Sequence, residues 1–130
     1  MESIIARYSE LLRQLLTSPQ LVFDENLRRA LSTDGGVYRV LEKGTNWQWS
    51  LYVGTSTNLR RRVYEMHFKG NSRASILRKK LIRDGPCADE SEVTRYLGER
   101  AAVQPLAMED PEKALFEHFA VAVLRPKYND

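Results

Sequence analysis

An arginine run at Arg60, Arg61 and Arg62, a histidine at His67, tyrosines at Tyr38 and Tyr52 and a glutamate at Glu117 are side chains whose types can act on a phosphodiester. Hydrolysing that bond needs a base to prepare water, cations or a metal for charge on the phosphoryl oxygens, and a stabiliser for the departing oxygen. Arginine's fork of donors fits a phosphate bidentately and keeps its charge near neutral pH. Imidazole titrates close to neutrality, which suits general-base work. A phenol starts near pKa 10, so a phenolate forms only where cations or a metal pull it down. One carboxylate, with waters and a substrate phosphate, suffices for Mg²⁺, because that ion keeps much of its hydration shell. Taken singly, each residue has a plainer reading. The tyrosines suit strand aromatics, the arginines a solvated helix surface, and Glu117 lies off the stripe of Leu115, Phe116, Phe119 and Val123. Against that, Phe119 to Leu124 is apolar all round, so its helix is covered on more than one face and a polar Glu117 there needs a reason. His118 reads as structural.

Charge narrows the partners. The net charge is only +3, yet Arg60, Arg61, Arg62, Lys69, Arg73, Arg78, Lys79, Lys80 and Arg83 meet only Glu65 and Asp84 across their stretch. A local basic face suits a polyanion, since phosphate contacts release counterions and drive sequence-independent binding. Hydrophobic residues at 42% and charged residues at 28% mark a globular chain, and 130 residues fit one compact core with a short appendage. Cys87 stands alone, which excludes a disulfide framework or a multi-cysteine metal site and suits a reducing compartment. Charges among the first residues argue against a signal peptide or a membrane span, so the expected location is soluble and cytoplasmic.

The elements that position these residues follow from periodicity and breakers. Ile4, Ile5, Tyr8, Leu11, Leu12, Leu15 and Leu16 predict an amphipathic helix ended at Thr17-Ser18-Pro19. Asp24 caps a short second helix through Leu27, Ala30 and Leu31, and Asp34-Gly35-Gly36 breaks it. Val37 to Leu41 and Trp47 to Val53 form a hairpin across a turn at Lys43-Gly44-Thr45-Asn46, which sets Tyr38 and Tyr52 on adjacent strands. A helix over Leu59 to Phe68 follows, then another capped by Asn71 or Ser72 and ended by Asp84-Gly85-Pro86. Glu92 to Tyr96 is open between helix and strand. Ala101 to Leu106 suits a strand with Pro105 at an edge. Asp110-Pro111 starts a last helix, with the Asp accepting from free backbone donors, and it runs to about Leu124 before Pro126.

The words Gly36-Val37-Tyr38 and Tyr52-Val53-Gly54, followed by Asn58-Leu59-Arg60-Arg61-Arg62, His67, Glu117 and the ending Pro126-Lys127-Tyr128-Asn129, resemble the GIY-YIG nuclease family in kind and in order. The resemblance spans about Gly35 to Asn129. It implies an α+β (α/β) fold with a small central antiparallel or mixed three-stranded sheet flanked by helices, here with an extra N-terminal helix. Residues 1–34 would be a helical extension and 35–130 the nuclease domain.

By the same resemblance, Arg62 holds the scissile phosphate, with Arg60 or Arg61 able to share the task. Glu117 holds Mg²⁺ or Mn²⁺, and Tyr38 or Tyr52 contacts or activates the attacking water. His67 takes up the proton, although it falls a residue later than in several branches of the family. Gly54 and Asn129 order the site. Arg60, Arg61, Lys69, Arg73, Arg78, Lys79 and Lys80 are the expected DNA contacts. The implied reaction is metal-dependent hydrolysis of DNA to a 5′-phosphate and a 3′-hydroxyl. Two other readings compete: a catalytically silent nucleic-acid-binding module of the same fold, and a small interaction protein that dimerises through its first helix. No separate DNA-reading motif is visible, so a homodimer or a partner protein is an expected source of specificity.

Overall fold

The computed structural model describes residues 3–43 and 50–129. The first helix, α1 (Ile4–Thr17), starts where the Ser3 side chain accepts from the Ala6 N–H at 3.0 Å. A two-residue strand, β1 (Leu21–Val22), leads to α2 (Leu27–Ala30), whose entry is turned by Asp24 accepting from the Asn26 N–H through its carboxylate. The strands β2 (Gly36–Glu42) and β3 (Ser50–Ser56) come next; residues 44–49, which hold most of the expected turn and the start of the expected second strand, lie outside the described residues. A π-helix (Arg60–Phe68) follows, then α3 (Ile76–Arg83), α4 (Glu90–Arg100), β4 (Ala101–Ala107) and α5 (Glu112–Leu124).

The sheet has four strands in the order β1-β4-β2-β3, with every neighbouring pair antiparallel. The expectation of three strands fails at β1, which pairs only Leu21 with Val103 and Val22 with Ala102. Two residues are too short to show an alternating pattern. Because β1 stops at Val103, Pro105 faces no strand on that side, so its missing N–H leaves no ladder bond unmade.

Alternation along β2 sorts its side chains to two faces. On one, Tyr38 and Val40 pack with Leu51, Val63, Phe68, Leu77, Leu81, Val93 and Leu97 beneath the π-helix, α3 and α4. On the other, Val37 and Val53 meet Leu15, Phe116 and Ala120 beneath α1 and α5, where Tyr8 lies against Phe116 and Phe119. Residues 3–34 take part in both, through Leu15 on one face and Phe23, Leu27 and Leu31 on the other.

Three helix starts differ from expectation: α2 is entered from Asn26 with no side-chain cap, so Asp24 does not cap it, and α3 and α5 differ as well. Ser75 caps α3, accepting from the Arg78 N–H at 3.1 Å, whereas Asn71 turns the preceding loop by accepting from the Arg73 N–H. Asp110 makes no capping bond to α5 and instead lies 3.5 Å from Lys113. The open stretch at Glu92 to Tyr96 is helical, because Asp89 caps α4 by accepting from the Glu92 N–H at 2.9 Å.

Candidate active site

Tyr38 stands in the middle of β2, opposite Gly54 on β3 and Pro105 on β4. Its side chain has no solvent exposure. A Cβ at Gly54 would come within 2.5 Å of the Tyr38 hydroxyl oxygen and 3.0 Å of Tyr52 Cε2, so the phenol occupies space that only a glycine leaves open. The Tyr38 hydroxyl meets His67 Nε2 at 2.5 Å, and His67 Nδ1 lies 2.6 Å from the Ser75 hydroxyl. The Tyr38, Tyr52 and His67 rings cluster, with centroids 5.4 to 6.2 Å apart.

The π-helix brings Arg62 to this cluster. Arg62 and His67 are five residues apart, which in an α-helix at about 100° per residue would set them about 140° apart. The i→i−5 bonding, seen in the Lys69 N–H to Tyr64 carbonyl bond at 3.0 Å, returns residues at that spacing to one side.

Electrostatics tie the parts together. Burial, with the nearby charges of Arg62 and Arg78, holds the His67 imidazole down to about 3, so it is neutral at physiological pH. Burial also pushes the Tyr38 phenol well above its ordinary value; Tyr52 and Glu117 add to the rise and Arg62 opposes it. Glu117 projects from α5 with 22% of its side chain exposed, and burial raises its carboxyl group. One turn earlier on α5, the buried Lys113 donates to the Ser56 carbonyl at 3.2 Å and pins that helix to β3. At the other edge of β3, the Asn129 side chain accepts from the Val53 N–H and donates to the Val53 carbonyl, both at 2.8 Å, beside Gly54. Tyr38 therefore lies within ring or electrostatic reach of Tyr52, Arg62, His67 and Glu117, with Gly54 and Asn129 at the strand that carries Tyr52.

The expected DNA contacts divide. Arg61, Arg73 and Lys79 are exposed, Lys80 is half-buried, and Arg60 is half-buried with its Nε donating to the Leu31 carbonyl at 3.1 Å. Lys69 pairs with Glu25 at 2.5 Å and covers the Phe68 ring. Arg78 does not belong to this set. It is 1% exposed, and its guanidinium donates to the carbonyls of His67, Phe68 and Glu90, to Thr94 Oγ1 and to the Glu90 carboxylate. A charge run says nothing about which member turns inward, and here the C-terminal end of the π-helix needs donors for its last carbonyls. His118 is likewise corrected: its side chain is 82% exposed and lies 3.9 Å from Glu117, so it is a surface residue and not a structural one. Ser75 and Lys113 went unnoticed in the sequence. Only the spacing of Lys113, four residues before Glu117 and so on the same helix face, gave a hint.

Among the described residues no group of three or more His, Cys, Asp or Glu side chains is arranged to hold a metal ion. The desolvated Glu117 carboxylate fits only a single-carboxylate site in which a hydrated divalent ion keeps most of its waters. None of the described helices is long and apolar enough to cross a membrane.

No protein-family model and no curated protein matches this chain. Among solved structures it is similar to the GIY-YIG N-terminal endonuclease domain of UvrC from Thermotoga maritima, a tyrosine-to-phenylalanine variant bound to its catalytic divalent cation. The identity is 22%, the match covers 82% of this chain and 98% of that one, and the TM-score is 0.44.

Proposed function

We propose that this protein is a metal-dependent endonuclease of the GIY-YIG type that hydrolyses a phosphodiester bond in DNA. The observation that carries the reading is the buried Tyr38–His67 pair, bonded at 2.5 Å, with Arg62 and Glu117 both acting on its electrostatics. A purely structural tyrosine does not need a neutral imidazole as its acceptor, a cation on the same side and a desolvated carboxylate facing it.

Arg62 grips the scissile phosphate. That contact offsets the positive charge which, after burial, does most to hold His67 down, so the imidazole becomes a better acceptor once DNA is in place. A water molecule passes a proton to the Tyr38 oxygen while the phenolic proton moves to His67 Nε2. The water oxygen bonds to phosphorus, the bond from phosphorus to the 3′ oxygen breaks, and the departing oxygen takes up a proton from solvent. Glu117 would hold a Mg²⁺ or Mn²⁺ ion, which when bound supplies positive charge for the phosphoryl oxygens. Arg61, Arg73 and Lys79 contribute sequence-independent phosphate contacts.

One observation favours a second assignment within this mechanism. Tyr38 has no exposure whereas Tyr52 is half-buried, so Tyr52 is the phenol that meets solvent, and the Tyr38–His67 pair would then order it. The overall reading is tested by incubating the purified protein with linear, nicked, flapped and branched DNA, with Mg²⁺ or with chelator. Cleavage is expected only with Mg²⁺, and Glu117→Gln is expected to bind DNA without cutting it. Full activity of Glu117→Gln removes the metal assignment; binding without cutting by the native chain, on every substrate, favours the silent module.

A further inference from the structure

We propose that Ser75 is a positioning residue for His67: its hydroxyl accepts from Nδ1–H and so fixes the imidazole in the tautomer whose bare Nε2 faces the Tyr38 hydroxyl. The assignment deepens the nuclease reading, on which its catalytic consequence rests; the tautomer itself does not depend on it.

Ser75 is 1% exposed and sits at the first turn of α3, where its oxygen already accepts from the Arg78 N–H at 3.1 Å. The same oxygen lies 2.6 Å from His67 Nδ1. A neutral imidazole carries one N–H and one bare nitrogen, so the two contacts cannot both be of the same kind. Among the described residues the Tyr38 hydroxyl has His67 Nε2 as its hydrogen-bond partner, and the phenol is wholly buried. Either tautomer leaves one buried hydroxyl hydrogen without an acceptor, that of Tyr38 or that of Ser75, and a phenol is a stronger donor than an aliphatic alcohol, so the Tyr38 proton takes Nε2. Nδ1 then carries the hydrogen and donates to Ser75, whose two lone pairs serve the imidazole and the helix end together.

Arg78 completes the clamp. Its guanidinium donates to the carbonyls of His67 and Phe68 at 3.0 and 2.9 Å, while its backbone N–H is the one that Ser75 caps. The start of α3 thereby holds His67 by both its ring and its backbone. An Nε2 that must accept a proton from Tyr38 needs its other nitrogen already protonated and anchored, which is the service Ser75 provides.

The test reads the tautomer directly. The protein has two histidines, and His118 is exposed, so ring ¹⁵N spectra of ¹⁵N-histidine-labelled protein at neutral pH separate the buried His67 from it. Native protein is expected to show His67 protonated at Nδ1 and bare at Nε2. Ser75→Ala is expected to lose that preference and to cut DNA on the order of 10- to 100-fold more slowly in single turnover, the usual effect of removing such an orienting partner. Its DNA affinity measured without metal should be unchanged, and Ser75→Thr, which keeps the hydroxyl, should restore both spectrum and rate. Asp89→Ala removes the cap of α4 and serves as the control for lost helix stability, with an unaltered His67 spectrum and rate. A native spectrum with hydrogen on Nε2 overturns the proposal, whether or not Ser75→Ala folds, and so does a Ser75→Ala variant with the native spectrum and rate. The expected spectra in a protein that cuts no DNA would leave the tautomer assignment standing and refute the nuclease reading instead.

Discussion

Tyr38 and Arg39 are neighbours on β2, both polar and both essentially without solvent exposure, yet they belong to opposite faces of the sheet and to different kinds of cluster. Arg39 donates from Nε to Ser50 Oγ and from Nη1 to Gln104 Oε1, both at 2.7 Å. The Gln104 amide in turn donates to the carbonyls of Leu16 and Ser18, where α1 ends. That chain of bonds runs from side chain to backbone and closes within the protein; it fastens the first helix to the sheet. The line from Tyr38 runs instead through a titratable imidazole to Ser75, and the same phenol lies within reach of Arg62, Tyr52 and Glu117, all only partly buried. Burial alone therefore does not mark a functional group. What separates the two clusters is whether the bonds end on backbone carbonyls or on groups that can exchange a proton and meet a ligand.

The comparison predicts a double dissociation. Arg62→Ala should lower the single-turnover cleavage rate by a hundredfold or more, the scale on which one transition-state donor acts (~10²–10³), with little change in the urea midpoint. Arg39→Ala should do the reverse, because it strands the buried Ser50 and Gln104 groups: a loss of roughly 3 kcal/mol in stability, with the rate per folded molecule unchanged. Equal losses of stability in the two variants would erase the distinction between the clusters.

A smaller effect separates them by pH. With its folded value near 3 and its ordinary value at 6.5, His67 binds a proton in the unfolded chain and not in the folded one throughout that interval. Stability therefore rises with pH across the interval and levels off above it, by up to about 1.4 kcal/mol per pH unit. Burial lowers Arg39 only to about 10, so it is protonated in both states and adds no slope there. Urea unfolding from pH 5 to 7 should show this slope in the native protein, and His67→Gln should flatten it. A slope unaltered in that variant would mean that His67 is not the buried neutral group described here.

The parts of this site that sequence could reveal are those whose residue types and order are themselves chemical. Tyr38 and Tyr52 lie in strand words bounded by turn residues, and alternation puts Tyr52, which stands opposite Val40, on the same face as Tyr38. Arg62 and His67 were visible as a pair but their relation was not, since helical spacing is read at 100° per residue and the π-helix was invisible in composition. Arg78 reads as one of the surface cations in sequence, because its inward turn depends on carbonyls at His67 and Phe68 that no sequence pattern displays. Ser75 was hidden for the same reason: a serine before an apolar run signals a helix cap, and its second bond, to His67, exists only in three dimensions. The two-residue β1 was too short to leave a period, and α4 was ambiguous until Asp89 was seen to cap it.

The measurement that bears most directly on the account is the single-turnover rate of Mg²⁺-dependent DNA cleavage by Tyr38→Phe beside that of Tyr52→Phe and the native chain. Removing the Tyr38 hydroxyl keeps the ring in its strand and takes away only the oxygen that meets His67; the stranded Nε2 should cost about 1–3 kcal/mol of stability, so the rates are compared per folded molecule. If Tyr38 prepares the water, its variant should lose on the order of a thousandfold in rate, within the range of general-base catalysis, and Tyr52→Phe should lose less. The reverse ranking would move the role to Tyr52, and Tyr38→Phe cutting DNA at the native rate would contradict the claim that the Tyr38–His67 pair is the centre of the active site.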